Sequence, residues 1–301
     1  MKTAKRNHTA GKRQESGLGY LMTAPAVLIL VGLGVYPIGY TLWLSLYKLQ
    51  LIQSENRFIG LAHYIEILAS VDFWRSIGLT FYFTVVSLAF QMALGLSVSL
   101  LLDRPFRGRG IVRAIVLVPW SVPTIVNASL WGWIYNAGYG ALNKLLLQLG
   151  VVSKGIVWLG SAGLSMNMVI LADSWRVLPL YVILILAALQ TLPVSVIEAT
   201  HIDGAGFWRR LLHVYLPLLQ PMLLVVLVLR TIQAFRVFDI IYVLTQGGPA
   251  NSTTVISFYA YYQTFKYLNF GYGSAVAVII ALFTVLLALT YMRLLRSEEN
   301  D

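Results

Sequence analysis

The stretch Glu198-Ala199-Thr200-His201-Ile202-Asp203-Gly204-Ala205, followed by Phe207 and closing on Val214-Tyr215-Leu216-Pro217, is a polar, turn-containing interruption between two long apolar runs. Pro193 suits the opening turn of a short helix, where a missing N–H costs little, and Thr191 or Ser195 can cap it. Val196, Ile197, Ala199 and Ile202 supply its apolar side. Asp203-Gly204 then breaks the helix, because Gly tolerates positive φ and Asp can cap the next helix. That second helix, over about 206–213, shows Phe207, Leu211 and Leu212 on one face, and Leu216-Pro217 turns the chain into the next run. The residues alone leave two readings: a stiff elbow whose apolar side needs a protein partner, or an interfacial helix lying on lipid headgroups.

The rest of the chain sets this elbow in a membrane. Hydrophobic residues make up 58 % of the 301, charged residues only 11 %, and the mean hydropathy is +0.75. A water-facing surface needs more charge than that. The net charge of +10 does not point to nucleic acid, since the cations sit in loops beside apolar runs rather than on one soluble face. With no cysteine there is no disulfide framework, thiolate nucleophile or thiolate metal site.

A bilayer core takes about 20 helical residues to cross. Runs of that length lie near 19–47, 77–102, 114–136, 166–190, 216–238 and 273–292. The first is roughly twice the apolar core of a signal peptide and reads as a retained span. None alternates like a barrel strand, so an all-α polytopic fold of six spans is expected. One membrane domain would cover 19–296, with tails at 1–18 and 297–301. Lys2, Lys5, Arg6, Lys12 and Arg13 precede the first span, and Arg104, Arg107, Arg109 and Arg113 follow the second. Arg209 and Arg210 follow the fourth, and Arg293 and Arg296 close the chain. The opposite loops are longer yet hold fewer cations, so both termini and the Glu198 elbow are expected in the cytoplasm. On the outer side, 139–150 should form a short amphipathic helix, with Leu142, Leu145, Leu146 and Leu149 on one side and Asn143, Lys144 and Gln148 elsewhere. Residues 60–64 and 246–249 carry turn signals.

The elbow resembles the coupling loop of ABC-importer permeases: a Glu-Ala pair, a Gly six residues after the Glu, then a β-branched residue, Leu and Pro. Thr200 stands where the family pattern has a third small residue, and Val214 where it has Ile. Arg104-Pro105-Phe106-Arg107-Gly108-Arg109 leading to Val118-Pro119-Trp120, Trp131-Gly132-Trp133 and Trp175-Arg176-Val177-Leu178-Pro179 are similar to carbohydrate-importer permeases. The most discriminating block runs from Arg230 to Asp239 and on through Tyr242 to Pro249. It looks like the first of the two paired permeases of maltose-, trehalose- and oligosaccharide-type importers. The resemblance covers roughly 17–296 and implies a type I ABC importer fold in the cell membrane, with a helix-turn-helix coupling loop at 191–217. Glu198, Ala199, Thr200, Asp203, Gly204, Ala205, Phe207, Leu211 and Pro217 would then meet the ATPase. The implied partners are a second, homologous permease forming a heterodimer, two ATPase subunits and an extracytoplasmic sugar-binding protein. ATP and Mg belong to the ATPase, with no cofactor and no enzymatic activity on this chain. A phosphate-binding G-x-x-x-x-G-K-[ST] loop is absent from the sequence, as that division of labour requires.

An ionised side chain at mid-bilayer costs about 2.5–3.5 kcal/mol on the insertion scale. Asp173, Arg176, Arg230, Arg236 and Asp239 therefore need a role. Asp173 with Arg176, and Arg236 with Asp239, have the spacing of helical pairs and can pin helices together. Alternatively some line a hydrated cavity, where planar polar groups and aromatic faces suit a sugar. Asn127, Trp131, Trp175, Arg176, Gln233, Arg236 and Asp239 have that chemistry. Trp120, Trp131, Trp133 and Trp158 lie near span ends, as an interfacial belt would. His8, His63, His201 and His213 have no metal-ligand spacing. A competing function, an ion-coupled secondary transporter using the Asp173 and Asp239 carboxylates, would need inverted repeats, and the two halves show no internal symmetry.

Overall fold

A computed structural model describes residues 22–52 and 55–298. The tail 1–18 with its five cations, the start of the first run and residues 299–301 lie outside the described residues. In chain order the elements are α1 (Met22–Leu44), a hairpin of β1 (Tyr47–Gln50) and β2 (Glu55–Phe58), α2 (Ala62–Ala69), α3 (Val71–Asp103), α4 (Arg109–Ser121), α5 (Thr124–Ile134), α6 (Ala141–Gln148), α7 (Ala162–Leu189), α8 (Val194–Ile202), α9 (Phe207–Phe235), α10 (Asp239–Leu244), α11 (Ile256–Tyr261) and α12 (Phe270–Glu298). Among them α1, α3, α7, α9 and α12 are long and apolar enough to cross a membrane, and α4 with α5 supplies a sixth span only as a broken pair.

That break corrects the continuous run expected over 114–136. α4 and α5 meet at 100°. Pro123 has no N–H to continue the helix and disfavours the helical region for its predecessor, and Val122 is accordingly extended (φ −79°, ψ 124°). The small hairpin has no counterpart among the sequence expectations: its strands are four residues each, too short for alternation to register.

The chain divides into two compact units, one formed by residues up to Ile67 with Gln263–Val278, the other by Leu68–Tyr262 with the residues from Ile279 on. In the first, Tyr47 pairs opposite Phe58, Lys48 bonds Glu55 at 2.5 Å, and Leu51 N–H donates to the Leu268 carbonyl.

The second unit is built on a seam between α3 and α7. Ser76, Thr80, Thr84, Ser87, Gln91, Gly95 and Ser99 recur every three or four residues along α3, and all are buried. The large apolar side chains Phe81, Val85 and Leu101 of the same helix are exposed. Phe73 and Phe83 are buried as well, but the row along the seam is small and weakly polar. In lipid, apolar side chains gain little by turning inward, and small residues permit close approach of the helices. Gly95 makes the point sharply, because a Cβ there would lie 2.7 Å from the Tyr181 Cβ. The hydroxyls stay satisfied by donating to carbonyls one turn back, as Thr80 does to Ser76 and Ser99 to Gly95. Ser99 also bonds across the seam to the Val182 carbonyl at 3.1 Å.

α6 forms within the expected 139–150, but its most secluded residue is polar. Asn143 donates to the Ile156 carbonyl (2.9 Å) and accepts from Ile156 N–H (3.1 Å) and Trp158 Nε1 (3.0 Å), so it fastens the loop leading to α7. Trp120 and Trp133 are exposed as a belt requires, whereas Trp131 and Trp158 pack against the core.

Candidate functional site

Two features of the second unit carry chemistry. One is a cleft of about 360 Å³ lined by Thr124 of α5, Asp173 and Arg176 of α7, and residues from the end of α9 and the start of α10 that include Arg230, Gln233, Arg236, Phe238 and Asp239. Arg230 ion-pairs with Asp173, and both side chains are buried. Gln91, fully buried on α3, accepts from Arg230 Nε at 2.9 Å and donates to Ser174 at 3.0 Å and Asp173 at 3.3 Å. Three helices are thus tied at one point by groups that satisfy one another, the condition under which buried charge is tolerated. Arg176 reaches the other Asp173 oxygen at 3.8 Å, and its shielded Nε has no acceptor among the described residues.

Arg236 and Asp239 do not form the helical pair their spacing suggested. α9 ends at Phe235, Arg236 leaves helical geometry (φ −102°, ψ 16°), and Asp239 opens α10. With the helix interrupted between them, no ion pair joins these two among the described residues. Both are exposed, together with Gln233, to the cleft. Phe238, on the same wall, stacks with Tyr242 at 5.5 Å and meets Tyr261 at 5.1 Å.

Of the residues singled out for a polar pathway, the cleft gathers Arg176, Gln233, Arg236 and Asp239. Asn127 is instead buried, its Nδ2 donating to the Ala172 carbonyl at 3.1 Å to hold α5 on α7. Trp131 and Trp175 pair edge to face at 6.1 Å and line no part of the cleft. Sequence reasoning missed Gln91, Phe238 and Tyr242. A glutamine within an otherwise apolar span was the available signal for the first. An aromatic repeated four residues on, across Asp239, was the signal for the other two.

The second feature is the elbow. α8 begins after Pro193, whose carbonyl accepts from Val196 N–H, while the Thr191 hydroxyl donates backward to Ala188 and closes α7. Glu198, Ala199 and Asp203 are exposed, and Thr200 bonds its hydroxyl to Ile197. Gly204 takes φ +66° in open surroundings and turns the chain, with Ala205 N–H donating to the Thr200 carbonyl. The second half of the elbow departs from expectation. Leu216-Pro217 does not turn the chain, because α9 runs unbroken from Phe207 to Phe235. Pro217 leaves a carbonyl one turn back without its usual partner, and the helix absorbs this as a wider π turn over Leu211–Tyr215. Leu211 faces inward at 8 % exposure and Pro217 is exposed on the helix. The outward apolar surface is formed by Ile202, Phe207, Trp208 and Leu212. Trp208, at 70 % exposure, is a further residue that sequence reasoning missed, although the Phe207-Trp208 doublet was its signal.

Among the described residues no group of three or more His, Asp and Glu side chains is placed to hold a metal ion.

Residues 91–297 match the family described as binding-protein-dependent transport system inner membrane component. The trehalose/maltose transport system permease protein MalF of Thermococcus litoralis is 42 % identical over 284 residues, covering 94 % of each chain. The trehalose transport system permease protein SugA of Mycobacterium tuberculosis is 36 % identical over 294 residues, covering 97 % of this chain and 93 % of that one. A chain of a bacterial ABC transporter involved in the import of the acidic polysaccharide alginate superimposes with a TM-score of 0.82 at 21 % identity, covering 96 % of this chain and 99 % of that one. At that identity the likeness concerns the fold.

Proposed function

The chain belongs to the binding-protein-dependent transport system inner membrane components, and from that premise we propose that it is the permease subunit of an ATP-driven sugar importer of the trehalose/maltose type. The relatives' names supply the sugar class. The observation that carries it is the cleft, which sets planar donors and acceptors (Arg236, Gln233, Asp239) beside the Phe238 ring. Hydroxyls need such partners, and the C–H face of a pyranose stacks on an aromatic ring. Asn127, Trp131 and Trp175 then support the cleft rather than touch the sugar.

The elbow docks a separate ATPase. Glu198 and Asp203 offer charge, Gly204 the turn, and Ile202, Phe207, Trp208 and Leu212 an apolar surface that a cytosolic loop would not leave in water. Hydrolysis, with its ATP and Mg, takes place on that subunit. A second, homologous permease completes the pathway, a sugar-binding protein delivers the substrate from outside, and both termini face the cytoplasm. Membership of this family replaces the ion-coupled alternative. The test is uptake of labelled trehalose into proteoliposomes. Transport by the full assembly should need ATP and survive a collapsed ion gradient, and gradient-driven uptake by this chain alone would refute the proposal.

A further inference from the structure

A groove enclosed by α3, α4 and α7 takes no part in the cleft or the elbow. It holds about 230 Å³ over an apolar floor of Leu102, Val182 and Leu186, with Ala187 on its bank. α3 and α7 run parallel here, Gln91 against Ser174 and Ser99 against Val182, so Leu102 and Gln190 mark the same end. Arg113 lies at that end, its Nη2 donating to the Leu102 carbonyl at 3.2 Å. Its shielded Nε finds no acceptor among the described residues.

Charge and length both favour one occupant. Residues 103–113 carry Arg104, Arg107, Arg109 and Arg113 against the single acid Asp103, which Arg109 approaches at 3.8 Å. From Val182 to Gln190 the bank extends about 12 Å along the helix, close to the ~15 Å hydrocarbon depth of one leaflet. Water is excluded at that depth and close packing leaves few voids, so an acyl chain fills such a groove. A guanidinium fixed by one bond, with further N–H groups to offer, then selects the headgroup. We propose that this groove binds a phospholipid with an anionic headgroup, its phosphate at Arg113 and Gln190 and one acyl chain over Val182 and Leu186. Gln190 stands four residues before α8, so the lipid sits at the root of the elbow.

The assembled transporter, reconstituted in nanodiscs of equal phosphatidylglycerol and phosphatidylcholine, is released and its retained lipid weighed by native mass spectrometry. Phosphatidylglycerol should be retained in preference, and Arg113→Gln should cut that preference roughly fivefold, the factor equivalent to one cation at a charged surface. Ala187→Trp fills the groove without changing a charge and should lose the retained lipid. An unchanged preference in Arg113→Gln, or full retention in Ala187→Trp, overturns the proposal. So does a photo-cross-linker on Ala187→Cys, the sole thiol of this chain, that captures a protein subunit instead of lipid.

Discussion

Arg230 of α9 and Asp173 of α7 form an ion pair in which both side chains are more than nine-tenths buried, and Gln91 of α3 bonds to each of them. Removing Asp173 leaves Arg230 with no counterion in a low-dielectric interior, which costs about 3–5 kcal/mol. Removing Arg230 leaves Asp173 only the longer contact to Arg176 at 3.8 Å, and removing both leaves neither buried charge. Asp173→Leu and Arg230→Met should each lower the unfolding midpoint of the purified protein sharply, and the double variant should recover much of the loss. Additive losses in the double variant would show that the pair is not a unit.

At the α3–α7 seam, Gly95→Val should destabilise by about 1–3 kcal/mol, the usual range for overpacking. Its Cβ would lie 2.7 Å from the Tyr181 Cβ and the helices would have to part. Gly78→Val, on the same helix in open space, is the control and should unfold near the wild-type midpoint.

Glu198→Lys and Gly204→Asp should leave the protein inserted but strip the ATPase from it. Gly204 has room for a side chain, so the penalty there arises from its positive φ, about 1–2 kcal/mol for a residue with a Cβ. Co-purification of the ATPase with each variant is the measurement, and an undiminished yield with normal uptake would remove the elbow from the coupling route.

Gln233→Ala and Arg236→Ala should slow sugar uptake while the complex still assembles, because both side chains are exposed to the cleft and, among the described residues, bond to no other helix. Asn127→Ala should act differently. It removes the side-chain bond that holds α5 on the Ala172 carbonyl of α7 and should first lower stability by about 0.5–1.5 kcal/mol, a loss that denaturation of the purified protein would register.

Five of the spans, the broken polar stretch at the elbow and the ionisable residues around the cleft were legible from apolar run length and from its interruptions, whereas the run over 114–136 hid a break at Pro123. What escaped the sequence was relational. The seam of α3 was hidden because its interior residues, from Ser76 to Ser99, are weakly polar or small and dilute an apolar average without interrupting it. The Arg236–Asp239 spacing misled because i,i+3 implies proximity only within one helix, and the chain leaves helix between them. Asn127, Trp131 and Trp175 have the chemistry of sugar contacts, but that chemistry equally serves helix-to-helix bonds, and only coordinates separate the two uses. Leu216-Pro217 looked like a corner because proline usually ends helices. Here a single widened turn lets the helix continue through it.

That continuity has a mechanical consequence. Phe207, at the tip beside the elbow, and Arg230, beside the cleft, belong to one helix and are separated by about 35 Å of rise. A tilt of about 5° about the tip displaces the far end by about 3 Å at that helical rise, the width of a hydrogen bond. Motion at the tip is therefore carried toward Arg230 and the wall of the cleft, less the bend that the wide turn over Leu211–Tyr215 and the prolines at 217 and 221 absorb.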